Sequence, residues 1–364
     1  MQILSNDSLK SLVGALDEKI GQEEELAELL NEYLAIQEDL QEIPRFKSKE
    51  DFASYFLSCF DNLPKSLAKQ CKKSLFPYIR ALPEVPFVES DPYYGVLKGL
   101  SLKENHLSLS MKKVRPGELF PYSGYEAGPS PYFEERPSFA YSLKGFSYPV
   151  FSKDGRPWMS LVPHEIKTME KAIKECEGEV LTYGLGMGYF AYRACLKGNV
   201  SRLTVVESDP EILSFFKKHL LSSFPRGKLI LIEGDALRYA RSCPKGKYDY
   251  LFADIYHDAQ DGLPLYIALK RCEGAAKSSE YWIEDDLLVY FRRYLIAYLL
   301  EQADPKSSGK GDGPYLEGSD FPSRLFRAIH FALKDRAIES ESDVSYLLND
   351  DSIKDLIVRM DIEN

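Results

Sequence analysis

The sequence predicts an α/β protein whose core is a parallel sheet covered by helices. Three observations predict it. From Pro163 to Gln302, short apolar segments alternate with amphipathic ones, a pattern that needs crossover connections between parallel strands. An apolar segment, Val180–Tyr183, runs straight into a glycine turn and then into a helix. Carboxylates stand at or just past the ends of three later strand-like segments, at Glu207, Asp235 and Asp254.

Residues 1–82 read as a helical segment. Leu9, Leu12, Val13, Leu16 and Ile20 keep helical spacing, and Leu26, Leu29, Leu30, Tyr33, Leu34 and Leu40 resume it after Gly21, which predicts a helix over 5–42. Its other face is acidic: ten carboxylates fall between 17 and 42 against Lys19 alone, a solvated face or a docking surface for a basic partner. Further helices are predicted over 49–60 and 64–80. Residues 83–161 read as a small β-rich module. Pro83, Pro86 and Pro92 punctuate its start, strands are expected at Gly95–Leu102 and His106–Val114, and 115–137 reads as loop. Lys153-Asp154-Gly155 is a hairpin turn between Phe146–Phe151 and Pro157–Leu161.

Residues 162–302 carry the regular alternation. Helices are expected at Glu165–Cys176, Tyr189–Leu196, Pro210–Leu221, Ala236–Ser242, Leu263–Cys272 and Asp285–Gln302. Strands are expected at Glu179–Tyr183, Arg202–Glu207, Lys228–Glu233, Tyr248–Asp254 and Glu280–Glu284. Residues 303–364 read as a Ser/Gly/Lys/Asp linker to 319 and then two or three helices.

Composition sets limits on function. A net charge of −10 weighs against a nucleic-acid partner, since phosphate neutralisation needs a basic face. The longest apolar stretch, Leu287–Leu300, is broken by Arg292 and Arg293, so no membrane span is expected. Six scattered cysteines without a CxxC pair and five dispersed histidines predict reduced thiols, a cytoplasmic protein and no metal site.

The chemistry concentrates in four places. Gly184, Gly186 and Gly188 let the backbone approach a ligand, and the helix beyond adds partial positive charge. Glu207 follows Gly188 by 19 residues, the spacing of a carboxylate that accepts both hydroxyls of a ribose. Asp235 and the N–H of Ala236 form an acceptor–donor pair suited to adenine, although Asp235 also fits a helix cap. Asp254 ends a buried strand, and His257, Asp258 and Asp261 follow it. Ligands of open α/β sheets bind beyond the carboxyl ends of the strands, so Asp254 or His257 is the expected general base or amine-orienting group. Tyr183, Tyr189 and Tyr256 are candidates to hold a cation by π contact. A dinucleotide dehydrogenase would want its third glycine where Tyr189 stands.

Together these motifs resemble the class I S-adenosylmethionine-dependent methyltransferase superfamily, and within it the branch of spermidine synthase and spermidine-synthase-like methyltransferases. His164 and Glu165 in "PWMSLVPHEIKTM" match a Tyr-His-Glu stretch of that branch, "VVESDPEI" and "GDALRYAR" follow its order, and uncharged Thr182 opens the glycine motif. The resemblance implies a Rossmann-like sheet, S-adenosylmethionine held by Gly184, Gly186, Gly188, Glu207, Asp235 and Ala236, and an acceptor near His164, Tyr256 and Asp258. It implies a methyltransferase acting on a small acceptor, of a cationic kind if the Asp254–Asp261 cluster faces it. A homodimer is compatible with this reading. The alternatives are an aminopropyltransferase using decarboxylated S-adenosylmethionine and a nucleoside-binding scaffold without activity. Met187 stands where spermidine synthases carry an Asp in the loop, which favours the intact donor over the decarboxylated one. The loop Asp254-Ile255-Tyr256-His257-Asp258 also departs from the branch's Asp-Ser-x-Asp-Pro.

Overall fold

Val180, Leu181, Leu203, Val205, Leu251 and Phe252 are buried, as strands sandwiched between two helical layers must be. They belong to a five-stranded parallel sheet in the computed structural model, which describes residues 2–3, 7–127, 135–303, 318–360 and 362. Its strands are β1 (Gly178–Tyr183), β2 (Val200–Glu207), β3 (Leu229–Glu233), β4 (Tyr248–Ala253) and β5 (Ala276–Tyr281). Their order is β3-β2-β1-β4-β5, and every pairing is parallel. The order reverses between β1 and β4, so a crevice opens beyond their carboxyl ends. Gly184 and Asp254 leave the sheet on either side of that crevice.

Two stretches fold differently from expectation. Gly95–Leu102 is not a strand: Pro92–Leu97 is a helix whose cap, Asp91, accepts the Tyr93 N–H. Asp followed by Pro is a helix-start signal, and it outweighs the short β-like alternation behind it. Residues 115–137 are not all loop, because Leu119–Ala127 and Glu135–Ser142 pair antiparallel. The first of these strands breaks its register after Pro121, which hides the period-two pattern.

Smaller differences lie at boundaries. The polar edge strand β5 begins before the predicted Glu280–Glu284, and the helix after β4 begins at Ala259, where Asp258 and Asp261 form a capping box. The long N-terminal helix runs Asp7–Asp39 through Gly21. Lys49–Ser58 and Lys65–Ser74 follow as expected helices. The tail carries three helices, Phe321–Leu333, Glu341–Leu348 and Asp350–Arg359. Most of the predicted linker, 304–317, lies outside the described residues.

The main core joins Leu9–Leu16 of the N-terminal helix, the sheet and the tail to Met360. A second cluster gathers Leu26, Leu29, Leu30 and Tyr33 with Phe52, Phe56 and Ile79, closed by Leu119 and Tyr141. The antiparallel hairpin Phe146–Lys153 and Arg156–Ser160, turned by Asp154 and Gly155 at φ +53 and +78, roofs the crevice. Lys153 ties it to Asp209 at 2.6 Å. Among the described residues no helix is long and apolar enough to cross a membrane.

Candidate active site

A cleft of about 280 Å³ lies at the switch point. Each core strand after which the chain turns contributes to it: Gly184 and Gly186 after β1, Glu207 and Ser208 from β2, Gly234, Asp235 and Ala236 after β3, Asp254, Ile255, Tyr256 and His257 after β4, and Trp282 after β5. Trp158 and Met159 come down from the roof hairpin, and Glu165 comes from the helix Pro163–Glu175.

The glycine turn is demanding. Gly184 has φ +88, and a Cβ there would stand 1.9 Å from the Asp254 carbonyl oxygen. Gly186 has φ +53, and its Cβ would meet the Met159 Sδ at 2.1 Å. Gly188 turns the chain into the helix Tyr189–Leu196, packed against Phe216 and outside the cleft lining. Glu207 holds the turn in place: one oxygen accepts the Leu185 N–H at 2.9 Å, the other the Asp209 N–H at 2.8 Å. A carboxylate oxygen has lone pairs for a second donor, so Glu207 remains able to accept from the cleft. Asp235 caps its helix through Arg238 N–H at 2.7 Å and lines the cleft as well, so both sequence readings of it coexist.

Asp254 and Glu165 keep some surface on the cleft but are otherwise surrounded by protein. Desolvation, then the Glu207 charge, pushes the Asp254 carboxyl up to about 7. Desolvation, then the Asp254 charge, pushes Glu165 up to about 8. Among the described residues, the lining holds four carboxyl groups, Glu165, Glu207, Asp235 and Asp254, and no Lys or Arg.

Several expected site residues are placed otherwise. His257 lines the cleft, but Trp158 Nε1 donates to its Nε2 at 2.9 Å and its Nδ1 meets Asp261 at 2.9 Å. Both ring nitrogens of His257 are thus engaged by protein partners. Asp258 is the cap of Ala259–Arg271, accepting from the N–H groups of Gln260 and Asp261, and does not line the cleft. His164 stands behind the wall, edge-on to Trp282, with its Nδ1 buried and without a hydrogen-bond partner. Tyr183 and Tyr189 are buried away from the cleft. Tyr256 is there, its hydroxyl donating to the Trp282 carbonyl at 2.6 Å and its ring stacked on Trp282. Met187 does not face the cleft either: its side chain is 2% exposed, within the core.

Glu165, Trp158, Met159 and Trp282 are among the lining residues to which sequence reasoning assigned no site role. A signal for Glu165 exists. It shares a helical stripe with Met169 and Ala172, both buried, and a carboxylate on an apolar stripe needs a reason. Trp282 is carried in by a sharp turn at Ile283, a β-branched residue at φ +47, where strain is held by the surrounding structure.

Over 109 residues the chain is 31% identical to Polyamine aminopropyltransferase 2 of Hyperthermus butylicus, a match of 27% of this chain and 35% of that protein. The chain is similar to a polyamine aminopropyltransferase. It spans about a third of the length of that curated relative. No protein-family model matches. Among solved structures, a spermidine synthase in complex with the transition-state analogue AdoDATO aligns at 14% identity over 57% of this chain and 80% of the other, with a TM-score of 0.32. The spermidine synthase of Thermotoga maritima aligns at 18% identity over 33% and 45%, with a TM-score of 0.26. The five-stranded parallel sheet bears out the α/β class, and the curated match agrees with the resemblance to the spermidine-synthase-like branch.

Proposed function

We propose that this protein transfers an aminopropyl group from decarboxylated S-adenosylmethionine to an amine. The observation that carries this reading is the sign of the cleft: four carboxyl groups and no Lys or Arg. The intact donor would bring its own carboxylate into a lining with no Lys or Arg to meet it, and the like-charge repulsion grows as Asp254 and Glu165 ionise with rising pH. The decarboxylated donor brings a sulfonium and an ammonium, both of which suit that lining. The similarity to a polyamine aminopropyltransferase supports the same reading. Methyl transfer, favoured from sequence on Met187, loses that support because Met187 is buried in the core.

The residues divide the work. Gly184 and Gly186 admit the donor's backbone-facing edge, Glu207 accepts the ribose hydroxyls, and Asp235 with the Ala236 N–H takes the adenine. Asp254 accepts a proton from the acceptor ammonium, and a carboxyl near 7 is matched to neutral pH for that task. The freed amine lone pair forms a C–N bond to the methylene beside sulfur. The C–S bond breaks, its electron pair stays on sulfur, and a neutral thioether nucleoside leaves. Alignment within the cleft supplies most of the rate, because the donor carries its own leaving group.

The test is product analysis. The purified protein is incubated with decarboxylated S-adenosylmethionine and a panel of di- and polyamines, and separately with S-adenosylmethionine. Amine-dependent release of 5′-methylthioadenosine is the expected result, with the decarboxylated donor bound at least tenfold more tightly in calorimetry. S-adenosylhomocysteine formed from the intact donor would establish methyl transfer instead, and binding without turnover would establish a scaffold.

A further inference from the structure

The glycine turn is gripped from outside the sheet domain. Asp91 and Tyr93 belong to the segment before the β hairpins, about a hundred residues ahead of the loop they touch. Tyr93 is fully buried, and its hydroxyl donates to the Met187 carbonyl at 2.5 Å. The N–H of the same peptide unit, that of Gly188, donates to Leu185 O at 2.8 Å. Both polar groups of the Met187–Gly188 peptide are thus pinned, and the plane cannot rotate without losing two bonds. Asp91 anchors the other end. Its carboxylate caps Tyr93, and it accepts from the Tyr189 hydroxyl at 3.1 Å and from Arg193, both on the helix that the glycine turn begins. Among the described residues, the N–H groups of Gly186 and Met187, which belong to the two peptide units before the pinned one, take no backbone partner, and pinning the Met187 carbonyl limits how far this stretch can turn.

We propose that Asp91 and Tyr93 are positioning residues that hold the glycine turn in its donor-binding shape, so that donor affinity depends on the segment ahead of the sheet domain. This rests on the reading of the glycine turn as a donor cradle. Tyr93 touches no ligand space; it acts through Met187. Its ring also packs on Tyr192 at 4.7 Å and against Phe224, so the variant must keep the ring.

Tyr93→Phe removes the hydroxyl alone. Calorimetry with 5′-methylthioadenosine and decarboxylated S-adenosylmethionine is expected to show about a fivefold to tenfold rise in Kd, the range set by one lost hydrogen bond. The KM for the amine and the kcat at saturating donor stay within twofold, a split that general loosening of the fold would not give. Hydrogen exchange of the unliganded protein is expected to quicken over 184–190 and not over β4. Tyr192→Phe, which removes a neighbouring hydroxyl without touching the loop, leaves Kd unchanged. Unchanged exchange at 184–190 in Tyr93→Phe overturns the clamp. Faster exchange with unchanged Kd overturns its positioning role. Failure of the unaltered protein to bind either nucleoside overturns the donor-cradle reading and this proposal with it, and the exchange data then stand as a property of the turn alone.

Discussion

Replacing Glu165 by Gln should stabilise the ligand-free protein at alkaline pH and leave it unchanged at acid pH. Glu165 titrates at about 8 in the folded chain against 4.5 for a free glutamate, and Asp254 at about 7 against 3.8. Between the free and folded values the folded chain holds protons that the unfolded chain has released, so stability falls as pH rises from about 4 to about 8. A gap of about 3.5 units for Glu165, at roughly 1.4 kcal/mol per unit, sets a ceiling near 5 kcal/mol above pH 8. Water in the cleft screens the carboxylate and the Asp254 charge is part of the cause, so about 2 kcal/mol is the expected gain. At roughly 2.1 cal/mol/K of unfolding entropy per residue, 364 residues convert this to a Tm rise of about 2–3 °C at pH 8.5. The assay is thermal unfolding of both proteins at pH 5, 7 and 8.5 without ligand. Asp254→Asn should act in the same direction, and the double variant should gain less than the two added, because removing the Asp254 charge lowers Glu165. An equal gain at pH 5 and pH 8.5, or a loss at pH 8.5, would refute the assignment of raised carboxyls.

Three further outcomes follow from the same geometry. A cationic donor placed beside Asp254 and Glu165 lowers both carboxyls, so binding should release protons at pH 7.5, read as a calorimetric heat that varies with the buffer's ionisation enthalpy; buffer-independent heats would count against contact. Glu207→Ala removes the proposed ribose acceptor and the Leu185 N–H partner together, and donor affinity should fall by about 1.5–3 kcal/mol, measured by calorimetry. Gly186→Ala should impair donor binding because its Cβ collides with the Met159 thioether, and adding Met159→Ala should restore part of the affinity; no restoration would place the obstruction in the turn's backbone instead.

The fold was legible wherever burial on both faces left a strong signature. β1, β2 and β4 are inner strands with mostly buried side chains, and the edge strand β3 keeps the apolar run Leu229-Ile230-Leu231-Ile232; the expected limits of all four differ from those observed by a residue or two. β5 begins earlier than expected because this edge strand carries Lys277, Ser278 and Ser279 and lacks the apolar run that the other edge strand, β3, keeps. Residues 92–97 were misjudged because a six-residue helix shows less than two turns of periodicity; only its cap announces it.

The site was legible in its skeleton and not in its orientation. Carboxylates at strand ends are positioned by topology, so Glu207, Asp235 and Asp254 converge as the strand order requires. Which way a loop side chain points is set by its hydrogen bonds, and these are not local in sequence. Asp258 turns away because Gln260 and Asp261 offer it N–H groups, and His257 is held between Trp158, 99 residues earlier, and Asp261. Met187 is the instructive position. The family resemblance puts it beside the donor's tail, where a missing Asp would argue for the intact donor. In the fold its side chain is packed in the core and its carbonyl is fixed by Tyr93, so its identity has no bearing on the charge of the cleft. The carboxyls of the cleft are instead Glu207, Asp235, Asp254 and Glu165, the last entering from a helix ahead of the glycine turn. On the proposed aminopropyl-transfer reading, selection between donors turns on Asp254 and Glu165, whose carboxyls are raised to about 7 and about 8. Preference for the decarboxylated donor should therefore grow as pH rises from 6 to 9. The ratio of the two donors' dissociation constants across that range measures it, and a ratio independent of pH would remove these carboxyls as the selecting groups.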